Sequence, residues 1–311
     1  MKAVRIHEYG GRNVLRYEEI PVPRISDDEV LIRVIATAVN PVDWKIREGY
    51  LREIIPYEFP LTLGWDLSGI IEGAGKNVKN FSSGDLVYSR PDLTRNGAYA
   101  EYIAVRENEV AHKPHTVSFA EAASIPLAGI TAWEAVINGG QIKEGQSILI
   151  HAASGGVGSL AVQLAKWKGA NVIATSSEKN KSFVKSLGAD KIIDYRSVRF
   201  QDVVKDVDVV FDTIGGETQE NSWVVLKQGG ILVSIVQPPS EERARRAGAK
   251  GKFVFIQPNA EILRELAKLI DDGIVRPIVG AEFSLKDISK AHELSESGRA
   301  LGKIVIHVGM P

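Results

Sequence analysis

Residues Ser147–Gly158 read SILIHAASGGVG. The apolar run Ile148–Ile150 predicts a strand, the small residues after it a tight turn, and SLAVQLAKWKG, from Ser159 onward, a helix. Leu160, Leu164 and Trp167 are four and three residues apart, a spacing that places them on one helix face. Strand, glycine turn and helix in that order are the setting of a dinucleotide-binding turn. Small residues let a pyrophosphate approach the unpaired N–H groups and positive end of the helix. The pattern is Ala152-x-x-Gly155-x-x-Gly158, with Ala152 where the first glycine of G-x-G-x-x-G usually stands. A purely structural strand-to-helix corner is the competing reading of the same residues.

The segments downstream repeat the alternation. Asn171–Thr175, Lys191–Ile193, Val207–Phe211, Gly230–Val236 and Lys252–Ile256 are expected strands, with a helix at Lys181–Leu187. With Ser147–Ile150 they make the six strands of a parallel dinucleotide-binding sheet. Ser240–Gly251 is the most polar stretch and is expected to be a mobile loop. Upstream the pattern is β-rich: Met1–Ile6, Glu29–Ala38, Leu61–Gly69, Ile70–Gly75 and Gly84–Tyr88 are short strands among glycine turns. Around Asn96–Tyr102, alternation of Tyr99, Glu101 and Ile103 against Ala98, Ala100 and Tyr102 predicts a strand with two distinct faces. Ser118 and Glu121 form a capping box, and a further helix is expected from Thr131. After Asn259, apolar residues at 262, 263, 266, 269 and 270 predict a helix, followed by β character at Val275–Val279 and Lys303–Val308.

The 311 residues carry 38 basic and 39 acidic side chains, a balance that disfavours nucleic acid and anionic membrane as partners. The absence of cysteine excludes disulfides, thiolate metal sites and a cysteine nucleophile. MKAVRIHEYGG has no apolar signal segment and no run approaches a membrane span, so a cytoplasmic location is expected.

Two clusters carry the chemistry. At the end of the second strand of the sheet, Thr175-Ser176-Ser177 followed by Lys179 and Lys181 suits the 2′-phosphate of NADPH, where a carboxylate would select NAD. The alternative is that these residues only cap the helix that follows. Tyr195 is placed for the adenine side. In Asn40-Pro41-Val42-Asp43-Trp44-Lys45, Asn40 and Pro41 suit a helix start, and Lys45 is either a solvated helix lysine or a site residue.

Taken together, AASGGVG, Leu187–Asp190 (LGAD) and NPVDWK resemble the medium-chain dehydrogenase/reductase superfamily, and within it the zinc-free, NADPH-dependent quinone oxidoreductase and enone reductase branch. The resemblance covers essentially the whole chain. It implies an α/β protein with a Rossmann dinucleotide-binding domain (121–259) inserted in a GroES-like β-rich catalytic domain (1–120 and 260–311). It also implies NADPH as cofactor and hydride delivery to quinones or to the C=C bond of α,β-unsaturated carbonyls. An enoyl-thioester reductase and a non-catalytic NADPH-binding protein are the alternatives. Residue by residue, it points to Lys45 as the donor beside nicotinamide and substrate, with Asn40 next. It places Ser154, Gly155, Gly156 and Val157 at the pyrophosphate, and Ser177, Glu178, Lys179, Asn180, Lys181 and Tyr195 at the adenosine end. Thr213, Phe255, Gly302 and Lys303 are expected near the nicotinamide. Zinc-dependent members have a cysteine and a histidine where this chain has Asn40 and Gly64-Trp65-Asp66, so no metal site is expected. Relatives pair their sheets through the last strand, here Lys252–Ile256, which implies a homodimer.

Overall fold

The computed structural model describes residues 1–310. The chain lays down β1 (Lys2–Ile6), β2 (Arg16–Glu19), β3 (Glu29–Val39), helix α1 (Pro41–Arg47), β4 (Leu61–Thr62), β5 (Leu67–Ala74), β6 (Leu86–Ser89), β7 (Tyr102–Arg106) and β8 (Val110–His112). Helices α2 (Phe119–Ala123) and α3 (Pro126–Trp133) follow, then β9 (Ser147–Ile150), α4 (Gly156–Trp167), β10 (Asn171–Ser176), α5 (Lys181–Ser186), β11 (Lys191–Asp194) and α6 (Phe200–Val203). Next come β12 (Val207–Asp212), α7 (Gly216–Ser222), β13 (Leu226–Ser234), α8 (Glu241–Ala247) and β14 (Lys250–Phe253). The chain closes with α9 (Ala260–Asp271), β15 (Val279–Ser284), α10 (Ile288–Glu296) and β16 (Lys303–His307).

Two compact units result: Met1–Leu127 with the chain from Gln257 onward, and Ala128–Ile256. In the first, β3 is the spine. Its residues are nearly all buried, with side chains in three core clusters, and both of its edges are paired. One edge takes β5, and the other is shared end to end by β7 (from Glu29 to Arg33) and β16 (from Ala36 to Val39). A smaller antiparallel sheet, β2-β1-β4, completes the unit. Trp65, Tyr99, Leu63 and Ile46 are the centre of one core cluster.

The second unit is a six-stranded parallel sheet in the order β11-β10-β9-β12-β13-β14. Strand order reverses between β9 and β12, and ligands bind such sheets at that reversal, outside the carboxyl ends of the strands. The glycine turn follows β9 and so stands at this crevice.

Several sequence expectations change. Ser240–Gly251 is not a loop: α8 fills most of it, with Ser240 Oγ accepting from Arg243 N at 3.3 Å and Gly248 closing the helix at φ 61°. Glu241 and Glu242 in its first turn and Arg245 and Arg246 in its last complement the helix dipole. Ala98, Tyr99 and Ala100 are all buried, and β7 begins only at Tyr102, so the two-faced strand is absent. Its backbone is held by Tyr99 N donating to Leu63 O and Tyr99 O accepting from Val4 N, and Tyr99 and Ala98 pack into two different core clusters. Leu61–Gly69 is interrupted at Gly64 (φ 90°) and contributes strands to two sheets. The helix expected from Thr131 starts at Pro126, where a proline's missing donor costs nothing. The β segment after α9 lies at Val279–Ser284 rather than Val275–Val279, and the sixth parallel strand ends at Phe253, leaving Phe255 beyond it. Trp167 is 36% exposed, its ring packed 5.9 Å from that of Trp133 rather than inserted in the core with Leu160 and Leu164.

Candidate functional site

The glycine turn is held from β10. Thr175 accepts Ala152 N on its hydroxyl (3.2 Å) and Ala153 N on its carbonyl (3.0 Å). Ala152 has φ 48°, a left-handed conformation that costs an alanine about 1–2 kcal/mol. The position therefore has the conformation a glycine would take freely. Gly155 caps α4 in an extended conformation, and Ser154–Val157 stay half-exposed while Gly158 and Ser159 are buried. A Cβ on Gly158 would lie 2.4 Å from Ala152 O, so this glycine is needed for the helix to close on the turn. An open helix N-terminus of twelve residues, flanked by small residues, is a cradle that fits a dinucleotide pyrophosphate.

Ser154 Oγ lies 3.1 Å from Asn180 Nδ2, joining the turn to the segment that follows β10. There Ser177 is almost buried, while Lys179 and Lys181 are exposed, Lys181 lying 3.6 Å from Glu178. Tyr195 follows β11 with its N–H on Ser176 O, and its exposed ring lies 5.8 Å from the Arg196 guanidinium. Sequence reading did not single out Arg196; its place next to Tyr195 was the available signal. Thr213 donates to His151 O at 2.9 Å, at the end of β12. Phe255 is half-exposed.

Asn40 opens α1 in the other unit. Its Nδ2 donates to Asp66 Oδ2 at 2.7 Å, and its Oδ1 accepts from Lys303 Nζ. Lys303 Nζ also donates to Val39 O at 3.1 Å and Asp66 Oδ2 at 3.0 Å. Asp66 Oδ1 takes Leu127 N at 2.6 Å. Asn40, Asp66 and Lys303 are 2, 0 and 6% exposed. Lys303 thus engages buried oxygens of its own unit instead of lying open for a cofactor. Gly302, buried at φ 58°, serves the turn into β16. Asn40 is held at both ends of its amide, by Asp66 at Nδ2 and by Lys303 at Oδ1.

Zinc does not fit here. The cluster offers an amide and one carboxylate with an ammonium already between them, and no group of three or more His, Cys, Asp or Glu among the described residues is arranged for a metal ion.

Lys45 is different. It is half-buried, its Nζ 5.7 Å from the Trp44 ring centroid, and no acceptor engages it among the described residues. Asp43 and Arg47, two residues to either side, are fully buried. Burial pushes the Asp43 carboxyl up to about 7, against the N–H of Asn40, the hydroxyl of Tyr99 and the charge of Lys303. Burial also raises Asp66, opposed chiefly by Lys303. Asp66, Tyr99 and Lys303 reach α1 from distant chain positions, and no local pattern marks the first two.

No helix is long and apolar enough to cross a membrane among the described residues. The family described as alcohol dehydrogenase GroES-like domain matches residues 26–115, and the zinc-binding dehydrogenase family matches 187–306. The 2-methylene-furan-3-one reductase of Solanum lycopersicum is 39% identical over 99% of this chain and 79% of its own. The chloroplastic NADPH-dependent alkenal/one oxidoreductase of Arabidopsis thaliana is 37% identical with the same coverage. The quinone oxidoreductase structure from Coxiella burnetii superposes with a TM-score of 0.92 at 35% identity, covering 99% of both chains. Full-length likeness of this kind, with the strand order and glycine cradle above, places the chain in the medium-chain dehydrogenase/reductase superfamily, in its quinone oxidoreductase and alkenal/one reductase branch.

Proposed function

We propose that this protein is an NADPH-dependent reductase of quinones and α,β-unsaturated carbonyl compounds that works without a metal. The observation that carries the reading is the unengaged ammonium of Lys45 in the last turn of α1, a helix whose first turn is anchored by Asn40 and Asp43. Quinones and enones share one electronic demand: addition of hydride to conjugated carbon puts negative charge on a carbonyl oxygen. Lys45 donates to that oxygen, and a preorganised donor of this kind acts most strongly as the charge develops. Asn40, Lys303 and Asp66 hold the start of α1 so that Lys45 is not free to wander. Ser154–Val157 hold the pyrophosphate, and Ser177, Lys179, Lys181 and Arg196 receive the 2′-phosphate. Bound there, NADPH supplies the hydride; a solvent proton completes the reduction.

The test follows NADPH absorbance with a panel of quinones, small enones and crotonyl thioesters. Turnover of the first two groups, with NADPH preferred over NADH, is the expected result. Lys45→Met should lower kcat/KM by roughly ten- to a hundredfold with little change in NADPH affinity. Tight NADPH binding without turnover of any acceptor would instead make the protein a nucleotide binder.

We also propose a homodimer paired through β14. All four residues of this edge strand are exposed, and Phe253 and Phe255 add apolar surface beside its unpaired backbone. Light scattering should give twice 33.9 kDa; a monomer at micromolar concentration removes the dimer.

A further inference from the structure

Asp43 and Arg47 lie one turn apart on α1 and are the two ends of a buried chain of polar groups. Asp43 Oδ2 accepts from Asn40 N at 2.7 Å and from the Tyr99 hydroxyl at 2.8 Å. Tyr99 Oη lies 3.3 Å from His292 Nε2 on α10, and the two rings meet edge to face at 5.8 Å. His292 Nδ1 lies 3.1 Å from Arg47 Nη1. Arg47 in turn holds Gly10 O at 3.0 Å, Glu296 at 2.8 Å and Glu48 at 2.5 Å.

These contacts dictate the direction of each hydrogen bond along the chain. A guanidinium only donates, so His292 Nδ1 is an acceptor and the ring proton is on Nε2. That proton is directed at the Tyr99 oxygen, and the Tyr99 hydroxyl donates to Asp43. The chain is therefore polarised in one sense, Arg47 to His292 to Tyr99 to Asp43. His292 is kept neutral: burial, then the charges of Arg47 and Arg12, push it down to about 3. Asp43 Oδ1 has no hydrogen-bond partner and no solvent. A proton is thus able to reside on Oδ1 without removing either bond made to Oδ2. The remaining charged or titratable groups facing Asp43 are Asp66, Lys303 and Tyr57; those facing Arg47 and His292 are Arg12, Glu48, Tyr50 and Glu296.

We propose that Tyr99 and His292 are positioning residues for the reduction, forming with Asp43 and Arg47 a one-way hydrogen-bonded relay that holds α1, and Lys45 on it, in the orientation hydride acceptance requires when Asp43 is ionised. The inference rests on the reading of Lys45 given above. A carboxylate makes stronger hydrogen bonds than a carboxylic acid, so ionisation of Asp43 tightens its hold on Tyr99 and on the first turn of α1. Loss of an angstrom or so of placement is enough to cost up to about a hundredfold in rate.

The experiment compares Tyr99→Phe, His292→Leu, His292→Gln and Asp43→Asn in the full chain by kcat, KM, pH profile and melting temperature. In the wild type kcat/KM should rise with pH as Asp43 ionises. Tyr99→Phe removes the donor that favours the ionised form, so that limb should move up by about 1–2 pH units, with kcat and kcat/KM falling together about tenfold. His292→Leu should act in the same direction. His292→Gln, whose amide can accept from Arg47 and donate to Tyr99, should restore most of the loss. Asp43→Asn should abolish the limb. Lower melting temperatures with an unmoved limb and unchanged kcat in Tyr99→Phe would overturn the relay and leave a structural network only. An infrared titration of the buried carboxylic acid band, assigned by its loss in Asp43→Asn, needs no turnover. If the wild type reduces nothing but Tyr99→Phe moves that titration upward, the function reading fails and the relay's control of Asp43 stands. An identical titration in both overturns the relay.

Discussion

Lys303→Met should destabilise the protein by about 3–5 kcal/mol at neutral pH, the cost of removing one partner from a buried ion pair. Lys303 and Asp66 are 6 and 0% exposed, so solvent screening gives little relief. The ammonium satisfies Val39 O, Asn40 Oδ1 and Asp66 Oδ2 at once. Methionine fills the volume but removes the ammonium from all three, and leaves the Asp66 charge with only the N–H groups of Asn40 and Leu127. The pH dependence follows from the carboxyl. Burial already raises Asp66 in the native state, and loss of Lys303 raises it further. A carboxyl raised on folding gives its greatest stability below its unfolded value, and that stability is lost as pH rises through the folded value. The deficit of the variant should therefore be small in acid, where Asp66 is neutral folded and unfolded alike, and grow toward neutral pH. Urea unfolding at a series of pH values measures it. Adding Asp66→Asn to Lys303→Met should recover much of the loss, since no charge is then stranded. Equal stability of Lys303→Met and wild type at neutral pH would contradict the role assigned to the pair.

Gly158→Ala should weaken NADPH binding by at least about tenfold. The new Cβ would lie 2.4 Å from Ala152 O and 2.8 Å from Ala153 Cα, and both obstacles are backbone. No rotamer change relieves that contact, so α4 must withdraw from the turn it caps. Overpacking of this kind costs about 1–3 kcal/mol in stability. It also moves the helix N-terminus away from the pyrophosphate, so titration calorimetry should show at least about tenfold weaker binding. Gly155→Ala is the control. Its Cβ meets nothing closer than 3.4 Å and its φ is −80°, so the fold should be intact and any loss of affinity reports steric exclusion of the ligand. Wild-type affinity in Gly158→Ala would detach this glycine from cofactor binding.

The local features of both units were legible in the chain. Strand, turn and helix at Ser147–Trp167, the capping box of Ser118 and Glu121, and the apolar face of α9 follow from neighbours within a few residues, where φ preferences, caps and periodicity act. Ser240–Gly251 shows how polarity misleads. The same charges that suggested a loop are arranged acid-first and base-last, as a helix dipole favours.

What the sequence by itself determined is the kind of protein: a glycine cradle between strand and helix, a parallel sheet to carry it, and a polar motif ending in Lys45. Its strand count did not contain the strand order, and it is the order that sets the glycine turn beside the reversal between β9 and β12. The division of labour within NPVDWK was likewise decided in three dimensions. Antiparallel pairing sets Ile304 opposite Val39, which carries Lys303 to Asn40 across 263 residues of chain and converts an expected cofactor ligand into a clamp. Packing of α10 against α1 brings His292 between Tyr99 and Arg47 in the same way. Local rules act through bonds and near neighbours and so can be read along the chain. The partners of a buried charge are chosen by sheet register and helix packing, and only the folded chain brings them within hydrogen-bond reach.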